Sequence, residues 1–176
     1  MSAGERDLAG VRADTFRSAL RRHASGVVIV TGGAPDAPVG FTATSFTSVS
    51  LEPPLVSFCV RTGSASWAGL RRHRHFGINI LAAGQEDLAH RFAQRGAARF
   101  ATPTEWHRGD LGLPFLAGDI ARLTCRRRQV RRLGDHLHVV GLVVGTELGG
   151  DDSPLVRHMG RFHGLAAQPH SAAGVD

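Results

Sequence analysis

The sequence predicts a mainly β protein, an antiparallel barrel with a few accessory helices. Most of its apolar runs are short, rich in β-branched residues and bounded by glycine, proline or aspartate, which is the pattern of strands joined by turns. Only three short segments carry apolar residues at helical spacing, and they do not alternate regularly with the strands. This order argues against a Rossmann sheet, so any nucleotide site must be built in another way.

Three short helices are predicted because apolar residues recur on one helical face in each segment. Asp14 or Thr15 is the candidate N-cap of the first helix, and Ser64 is the candidate N-cap of the second. The predicted helices span residues 14–23, 64–72 and 85–92.

The strands are assigned from β-branched runs that lie between turn residues. Glycine and proline at 32–36 predict a turn, residues 132–135 predict the turn of a hairpin, and residues 100–114 are expected to form a loop. The predicted strands span residues 26–31, 38–42, 55–60, 76–81, 120–130, 137–144 and 154–158.

Length and composition indicate one globular domain. The chain has 176 residues, of which 42% are hydrophobic and 20% charged, enough to bury a core. We expect the domain at residues 14–166 and flexible ends at 1–13 and 167–176. The chain contains no lysine, which excludes a pyridoxal-phosphate aldimine and a P-loop lysine.

The net charge of +6 is due to arginine. Its two densest runs, at 71–75 and 126–132, lack interleaved aromatic residues and a recognised nucleic-acid-binding motif. A solvated face is therefore the better interpretation, and no nucleic-acid partner is expected, although the charge can attract anionic nucleotides.

We expect a cytoplasmic protein without a membrane partner. No apolar stretch is long enough to span a bilayer, and the N-terminal residues carry charges of both signs rather than a signal sequence. The two cysteines, Cys59 and Cys125, lie in separate apolar runs and are expected to be reduced thiols.

The segment at 40–50, GFTATSFTSVS, is the most unusual of the chain. Its small hydroxyl residues leave backbone amides accessible beside threonine and serine side chains. A flavin ring forms hydrogen bonds with such groups through its nitrogen and carbonyl oxygen atoms. A half-buried, threonine-rich strand has the same composition, so this segment alone leaves both interpretations open.

A second candidate site is the segment at 61–67, RTGSASW. A predicted strand ends here and a helix begins, so unpaired backbone N–H groups, hydroxyls and Arg61 can together hold a phosphate. Plain capping of the helix by Ser64 is the alternative. Because the two segments follow one another closely, together they can hold a ring and its phosphate tail.

The third candidate is Gly134-Asp135-His136, at the predicted hairpin turn. Asp135 can orient the imidazole of His136, and a solvated turn with a surface histidine is the alternative. His136 and His138 share one face of a strand but lack the further ligands that zinc requires, so no metal is expected. A serine hydrolase has no support, because the sequence contains no G-x-S-x-G motif.

Together these residues resemble the flavin reductase-like family, whose members supply reduced flavin to two-component monooxygenases. The resemblance covers about residues 16–165, and Phe162 and Ser25 stand where tyrosine and threonine are frequent in the family. The matching words are ASGVVIVT at 24–31, GFTATSFTSVSLEPPL at 40–55, FGINIL at 76–81, Gln85, Leu88, Phe92, GDH at 134–136, PL at 154–155 and GRF at 160–162.

The resemblance implies an FMN-binding Greek-key split β-barrel, a homodimer, and a set of site residues. The residues implied to line the flavin ring are Phe41, Thr42, Ala43, Thr44 and Ser45. Those implied to border the ribityl chain and the phosphate are Cys59, Val60, Arg61, Thr62, Ser64, Ser66 and Trp67. Asn79 would lie close to the flavin or support its strand. The residues implied on the nicotinamide side are His136, which is also the candidate catalytic residue, Arg161 and His163.

The implied function is hydride transfer from NADH or NADPH to FMN, or to FAD, and delivery of the reduced flavin to a partner monooxygenase. No general base is required, because the cofactors supply the chemistry and the protein aligns them. Two alternatives stay open: a split-barrel flavoprotein that keeps FMN tightly bound for another oxidation or reduction, and a flavin-binding module without turnover.

Overall fold

The structure, a computed structural model, describes residues 10–165 of the chain. The predicted flexible ends, 1–13 and 167–176, lie outside the described residues except for residues 10–13. Three α-helices are present in the described part: α1 (Ala13–Leu20), α2 (Ala65–Leu70) and α3 (Glu86–Ala93). Two short 3-10 helices, Ala83–Gln85 and Asp110–Gly112, accompany them. The strands are β1 (Ser25–Gly26), β2 (Val28–Ala34), β3 (Ala37–Ala43), β4 (Thr47–Ser50), β5 (Leu55–Arg61), β6 (His75–Ile80), β7 (Trp106–Arg108), β8 (Pro114–Leu116), β9 (Ala121–Leu133), β10 (His136–Leu148), β11 (Leu155–His158) and β12 (Arg161–Gly164).

A seven-stranded antiparallel sheet forms the body of the protein, in the order β3-β2-β6-β9-β10-β5-β4. Phe41 on β3 and Phe58 on β5 lie near opposite ends of this order, yet their ring centroids are 5.8 Å apart. Phe58 also contacts Phe76 on β6, at 5.5 Å. The sheet is therefore rolled around these aromatic rings, which confirms the predicted antiparallel barrel.

Strand β2 separates two hydrophobic cores, because successive side chains of a strand point to opposite faces. Val28 and Val30 face the barrel interior with Phe58. Val27, which precedes β2, and Ile29 face outward, where they pack with Phe92 of α3. This outer core fixes α3 against β2 and β3, and α3 in turn forms one side of the candidate site.

Two small sheets complete the structure. Strands β1, β11 and β12 form a three-stranded sheet, and β7 and β8 form a hairpin. Helix α1 ends beside the turn between β11 and β12, where Met159 N donates a hydrogen bond to the carbonyl of Arg21 at 2.9 Å. None of the residues of α1, all of which the structure describes, is buried.

Several predicted boundaries were wrong, and the packing explains why. Gly32 belongs to β2 rather than to a turn, and a Cβ there would lie 3.0 Å from Leu70 Cδ1 of α2. The absence of a side chain at this place in the strand lets Leu70 of α2 pack close to β2. The predicted loop at 100–114 contains β7 and the start of β8, which are too short to show alternation in the sequence.

Other corrections concern the ends of elements. Strands β9 and β10 are longer than predicted, with 13 residues each. The arginine-rich end of β9 still pairs with the start of β10, and the end of β10 pairs as far as Leu148, opposite Ala121. Strand β12 was not predicted. Helix α1 begins after Arg12 without a side-chain cap, so neither Asp14 nor Thr15 caps it. Ser64 caps α2, as predicted, and its hydroxyl accepts a hydrogen bond from Trp67 N at 3.2 Å.

Candidate active site

A cavity of about 740 Å³ opens where the ends of β3, β5 and α3 meet the start of β10. The first two predicted segments and the GDH motif, which are distant in sequence, all contribute to it. The cavity-lining residues are Phe41, Thr42, Ala43, Thr44, Ser45, Cys59, Val60, Arg61, Thr62, Gly63, Ser64, Ala65, Ser66, Phe92, Ala93, Arg95, Gly96, Arg99, Asp135 and His136.

The first wall is the segment 41–45, at and beyond the end of β3. The Thr42 hydroxyl donates to the Ala89 carbonyl of α3 at 2.7 Å. The Ser45 hydroxyl accepts a bond from Cys59 N at 2.9 Å and donates to Cys59 O at 3.2 Å. These bonds join the segment to α3 on one side and to β5 on the other, so its backbone is held in place at the cavity.

The second wall runs from the end of β5 into α2. Thr62 N and the Thr62 hydroxyl both donate to the carbonyl of Asp135, at 3.1 and 3.2 Å. Ser64 N donates to the carbonyl of Arg61 at 3.1 Å and closes the turn before the helix. The hydroxyls of this wall therefore lie beside the GDH turn, and α2 contributes Ala65 and Ser66 to the cavity.

Arg99 joins these walls. One guanidinium nitrogen donates to the Gly40 carbonyl at 2.8 Å and to the Ser66 hydroxyl, and the other donates to the Gln94 carbonyl. Burial lowers the pKa of Arg99 from its ordinary value. Its Nε is buried and has no hydrogen-bond partner among the described residues.

An Asp–His pair lies at the start of β10. His136 Nδ1 is 2.8 Å from Asp135 Oδ1, and the His136 side chain is 39% exposed. The hydrogen bond with His136 lowers the pKa of the Asp135 carboxyl, and the charge of His136 adds to this effect. Because Asp135 engages Nδ1, the Nε2 atom is the one available to a ligand in the cavity.

The profile of the flavin reductase like domain matches residues 20–166, which include every residue of this cavity. The chain belongs to the flavin reductase-like family. The family resemblance and the split-barrel fold predicted from the sequence are thereby confirmed. The outer ends of the chain, 1–19 and 167–176, lie outside the match.

Relatives of this flavin reductase-like protein include flavin reductases and reductase subunits of monooxygenases. It is 42% identical to an NADH:FMN oxidoreductase of Rhodococcus erythropolis over 158 residues, or 88% of this chain and 82% of the relative. It is 37% identical to HsaB, the reductase subunit of a flavin-dependent monooxygenase of Rhodococcus jostii, over 150 residues, or 85% and 76% of the two chains.

A solved structure of the same family has a similar fold. Streptomyces globisporus NADH:FAD oxidoreductase SgcE6, in complex with NAD and FAD fragments, superposes with a TM-score of 0.80 and 35% identity. The match covers 90% of this chain and 98% of the other.

The cavity of this flavin reductase-like protein fits a flavin. Its volume lies within the range of about 300–1,000 Å³ that is usual for cofactor sites. The segment 41–45 offers backbone amides and hydroxyls, as a flavin ring requires. Arg95, Arg99 and Ser64 also line the cavity and offer donors to a phosphate.

Most of the predicted site residues line this cavity, and four do not. Trp67 is 5% exposed and packs in the barrel core, and Asn79 is fully buried. The Asn79 amide donates to Ile29 O at 3.0 Å and accepts from Leu116 N at 2.8 Å, so it joins β6 to β2 and β8. Of its two implied roles, support of the strand is therefore the one that the contacts show. Arg161 and His163 lie on β12, outside the cavity.

The sequence reasoning missed the side of the cavity that follows α3. Arg95 and Arg99 line it, yet the segment after α3 carries no motif. The only signal was a pair of arginines four residues apart, just beyond a predicted helix.

Within residues 10–165, no group of three or more His, Cys, Asp or Glu side chains is placed to hold a metal ion. In the same part of the chain, the helices are all too short or too polar to cross a membrane.

Proposed function

We propose that this protein is an NAD(P)H:flavin oxidoreductase that reduces FMN, or FAD, and delivers the reduced flavin to a separate flavin-dependent monooxygenase. The relatives are NADH-dependent flavin reductases and reductase subunits of monooxygenases, which supports this activity and the use of NADH and flavin. The cavity supports it independently, because it combines a wall suited to a flavin ring with a side suited to a phosphate.

The observation that carries the proposal is the position of Arg99. Its guanidinium lines the cavity, is held by the carbonyl of Gly40 and the hydroxyl of Ser66, and has no carboxylate partner among the described residues. A charged donor that is held in this way favours an anion beside it. A flavin phosphate is a suitable acceptor, and it would place the ring along the segment 41–45.

When bound, the flavin accepts a hydride from the nicotinamide ring. The protein then has to align two rings and keep them in contact. The segment 41–45 orients the flavin ring through its backbone, and Ser64, Arg95 and Arg99 hold the phosphate. Asp135 fixes the ring of His136 so that Nε2 faces the cavity, where it positions the nicotinamide.

Oxidation of NADH and NADPH, measured with and without added FMN or FAD, tests the activity. We expect turnover that requires added flavin and saturates with it. Flavin that stays bound through gel filtration, with turnover that added flavin does not increase, would favour a tightly bound prosthetic group instead. Bound flavin without any NAD(P)H oxidation would identify a binding module and refute the proposal.

We also propose a homodimer. Phe16 and Leu20 of α1 are 55% and 52% exposed, so the apolar face of this helix has no cover in the single chain. β4 is an edge strand of the main sheet, and Val49 within it and Leu51 just after it are 51% and 86% exposed. An uncovered edge strand with apolar residues is a favourable place for a second copy to pair.

We place the protein in the cytoplasm. Both Cys59 and Cys125 are free thiols, and a reducing compartment keeps thiols in this state.

A further inference from the structure

Two arginine runs that are distant in the sequence, at 71–75 and 126–132, lie against each other in the structure. Arg127 N donates to the carbonyl of Arg74 at 2.8 Å, and the Arg127 guanidinium donates to the carbonyl of Arg71, also at 2.8 Å. The two runs therefore form one continuous basic surface, which we call the arginine surface. Its members are Arg71, Arg72, Arg74, Arg126, Arg127, Arg128, Arg131 and Arg132.

The positive charge of the arginine surface is not compensated locally. None of its arginines forms an ion pair with a carboxylate of the described residues. The sequence contains no aspartate or glutamate at 53–85 or at 120–134, the stretches that include β5, α2, β6 and β9. Asp135, at the adjacent hairpin turn, is bound to His136. An anion in solution therefore meets a positive potential at this surface.

The arginine surface extends to the candidate active site along β9. Arg131 of β9 is paired with His138 of β10, and His138 is paired in turn with Cys59 of β5, which lines the cavity. Residues that are paired in this way point to the same face of a sheet, and neighbouring strands are about 4.8 Å apart. Arg131 therefore lies on the same face as Cys59, about 10 Å from the strand that forms the cavity wall.

The chemistry of the arginine surface favours a small phosphorylated ligand over a macromolecule. Trp67, the aromatic residue that contacts it, is 5% exposed, and its ring centroid lies 6.0 Å from the guanidinium carbon of Arg127. This ring is therefore not available to stack on a nucleic-acid base, as single-strand binding proteins require. A second copy of the chain would bring two positive surfaces together. FMN and FAD carry anionic phosphates, and their expected cavity lies beside the surface.

We propose that the arginine surface is the electrostatic entry path of the cavity, and that it selects phosphorylated flavin over riboflavin at the step of association. This inference rests on the proposed function, because it requires a cavity that binds flavin. A positive surface beside a cleft raises the association rate of an anionic ligand by about tenfold to a thousandfold. Charges at the rim of a site act on association more than on dissociation, so the surface affects capture of the flavin rather than its retention.

Stopped-flow fluorescence with FMN and with riboflavin, without a nicotinamide nucleotide, measures association and dissociation separately. The double variant R128Q/R131Q removes two exposed charges from the surface. We expect it to lower the association rate constant of FMN about fivefold at an ionic strength of about 0.01 M, with the dissociation rate constant unchanged. Association of riboflavin should not change. About 1 M salt should abolish the difference for FMN, because the Debye length falls to about 3 Å.

R12Q/R22Q is the matched control, since it removes the same charge from two exposed residues that flank α1 and do not line the cavity. Its FMN association should stay close to that of the unmodified protein. Equal FMN association by the two double variants, or an equal loss for riboflavin, would overturn the proposal. A raised dissociation rate constant in R128Q/R131Q would also overturn it, because these arginines would then be ligands of the bound flavin.

The binding measurement does not depend on turnover, so the two proposals can fail separately. If R128Q/R131Q slows FMN association as expected but the unmodified protein oxidises neither NADH nor NADPH, the proposed function fails and the entry path stands. If turnover with FMN is normal and R128Q/R131Q leaves FMN association unchanged, the entry path fails and the proposed function stands. If the unmodified protein does not bind FMN, both are refuted.

Discussion

His136 lines the cavity, and its ring is held in place by hydrogen bonding. Its Nδ1 atom forms a hydrogen bond with the carboxylate of Asp135, and the backbone carbonyl of Asp135 accepts a hydrogen bond from the Thr62 hydroxyl. Asp135 therefore links the imidazole ring of His136 to Thr62 at the cavity. Because the pKa of Asp135 is lowered, its carboxylate persists to more acidic pH than an isolated aspartate, and the contact is lost only as the pH falls through the lowered pKa.

Replacing His136 with alanine is expected to reduce NAD(P)H turnover well beyond its effect on flavin affinity. The reason is that the ring positions the nicotinamide, while other walls hold the flavin. The measurement is kcat with each nucleotide, together with the dissociation constant of FMN. H138A is the matched control, because His138 lies on the same strand but does not line the cavity. Unchanged turnover in H136A would remove His136 from the mechanism.

The two cysteines differ in their environment. Burial raises the pKa of the Cys125 thiol to about 12, so it stays protonated and unreactive at neutral pH. Cys59 lines the cavity. We expect one thiol per native chain to react with a thiol reagent at neutral pH, and added FMN to slow this reaction. C59S should abolish the fast phase. A fast phase that survives in C59S, or that FMN leaves unaltered, would contradict the placement of flavin beside Cys59.

At the scale of elements, the segment after α3 controls the cavity through Arg99. R99Q is expected to lower flavin affinity about tenfold or more, since it removes a charged donor to the phosphate and the link between Gly40 and Ser66. Fluorescence titration with FMN measures this loss. R91Q is the control, because Arg91 of α3 bonds Thr104 outside the cavity. Equal FMN binding by R99Q and R91Q would refute the phosphate role of Arg99.

The elements also show which parts of this structure are predictable from sequence. Strands with β-branched runs and the Ser64 cap depend on local chemistry, so their position could be predicted. Gly32 in β2 packs against Leu70 of α2, and β8 is bound to β6 through the hydrogen bond from Leu116 N to Asn79 Oδ1. Contacts of this kind cannot be predicted from the local pattern of residues, because they join segments that are distant in sequence.

The residues of the candidate site also fall into a group that is predictable from local sequence and a group that is not. The hydroxyl-rich segments and the GDH motif carry a local signature, and they line the cavity. Arg99 functions through contacts with Gly40 and Ser66, which only the fold brings near it. Asn79 was placed among the cofactor ligands because its motif resembles that of the family. Its complete burial and its hydrogen bonds to the backbone are properties of the assembled barrel.

At the scale of the whole molecule, the exposed apolar residues of α1 and β4 predict a dimer. Light scattering after gel filtration should give twice the mass of the chain, and L51D should shift the population toward monomer, because a charge would be buried beside the edge strand. L111D is the control, since Leu111 is also exposed, at 66%, but lies before the short strand β8. A monomeric unmodified protein would contradict the proposed dimer.

The proposed function requires that flavin is reduced in the cavity and then leaves it. Anaerobic mixing of the protein with NADH and a several-fold molar excess of FMN, followed by flavin absorbance, measures both steps. We expect all of the FMN to bleach over repeated turnovers, at one NADH per flavin. Bleaching that stops at one flavin per chain would contradict it, because the flavin would then be retained as a prosthetic group.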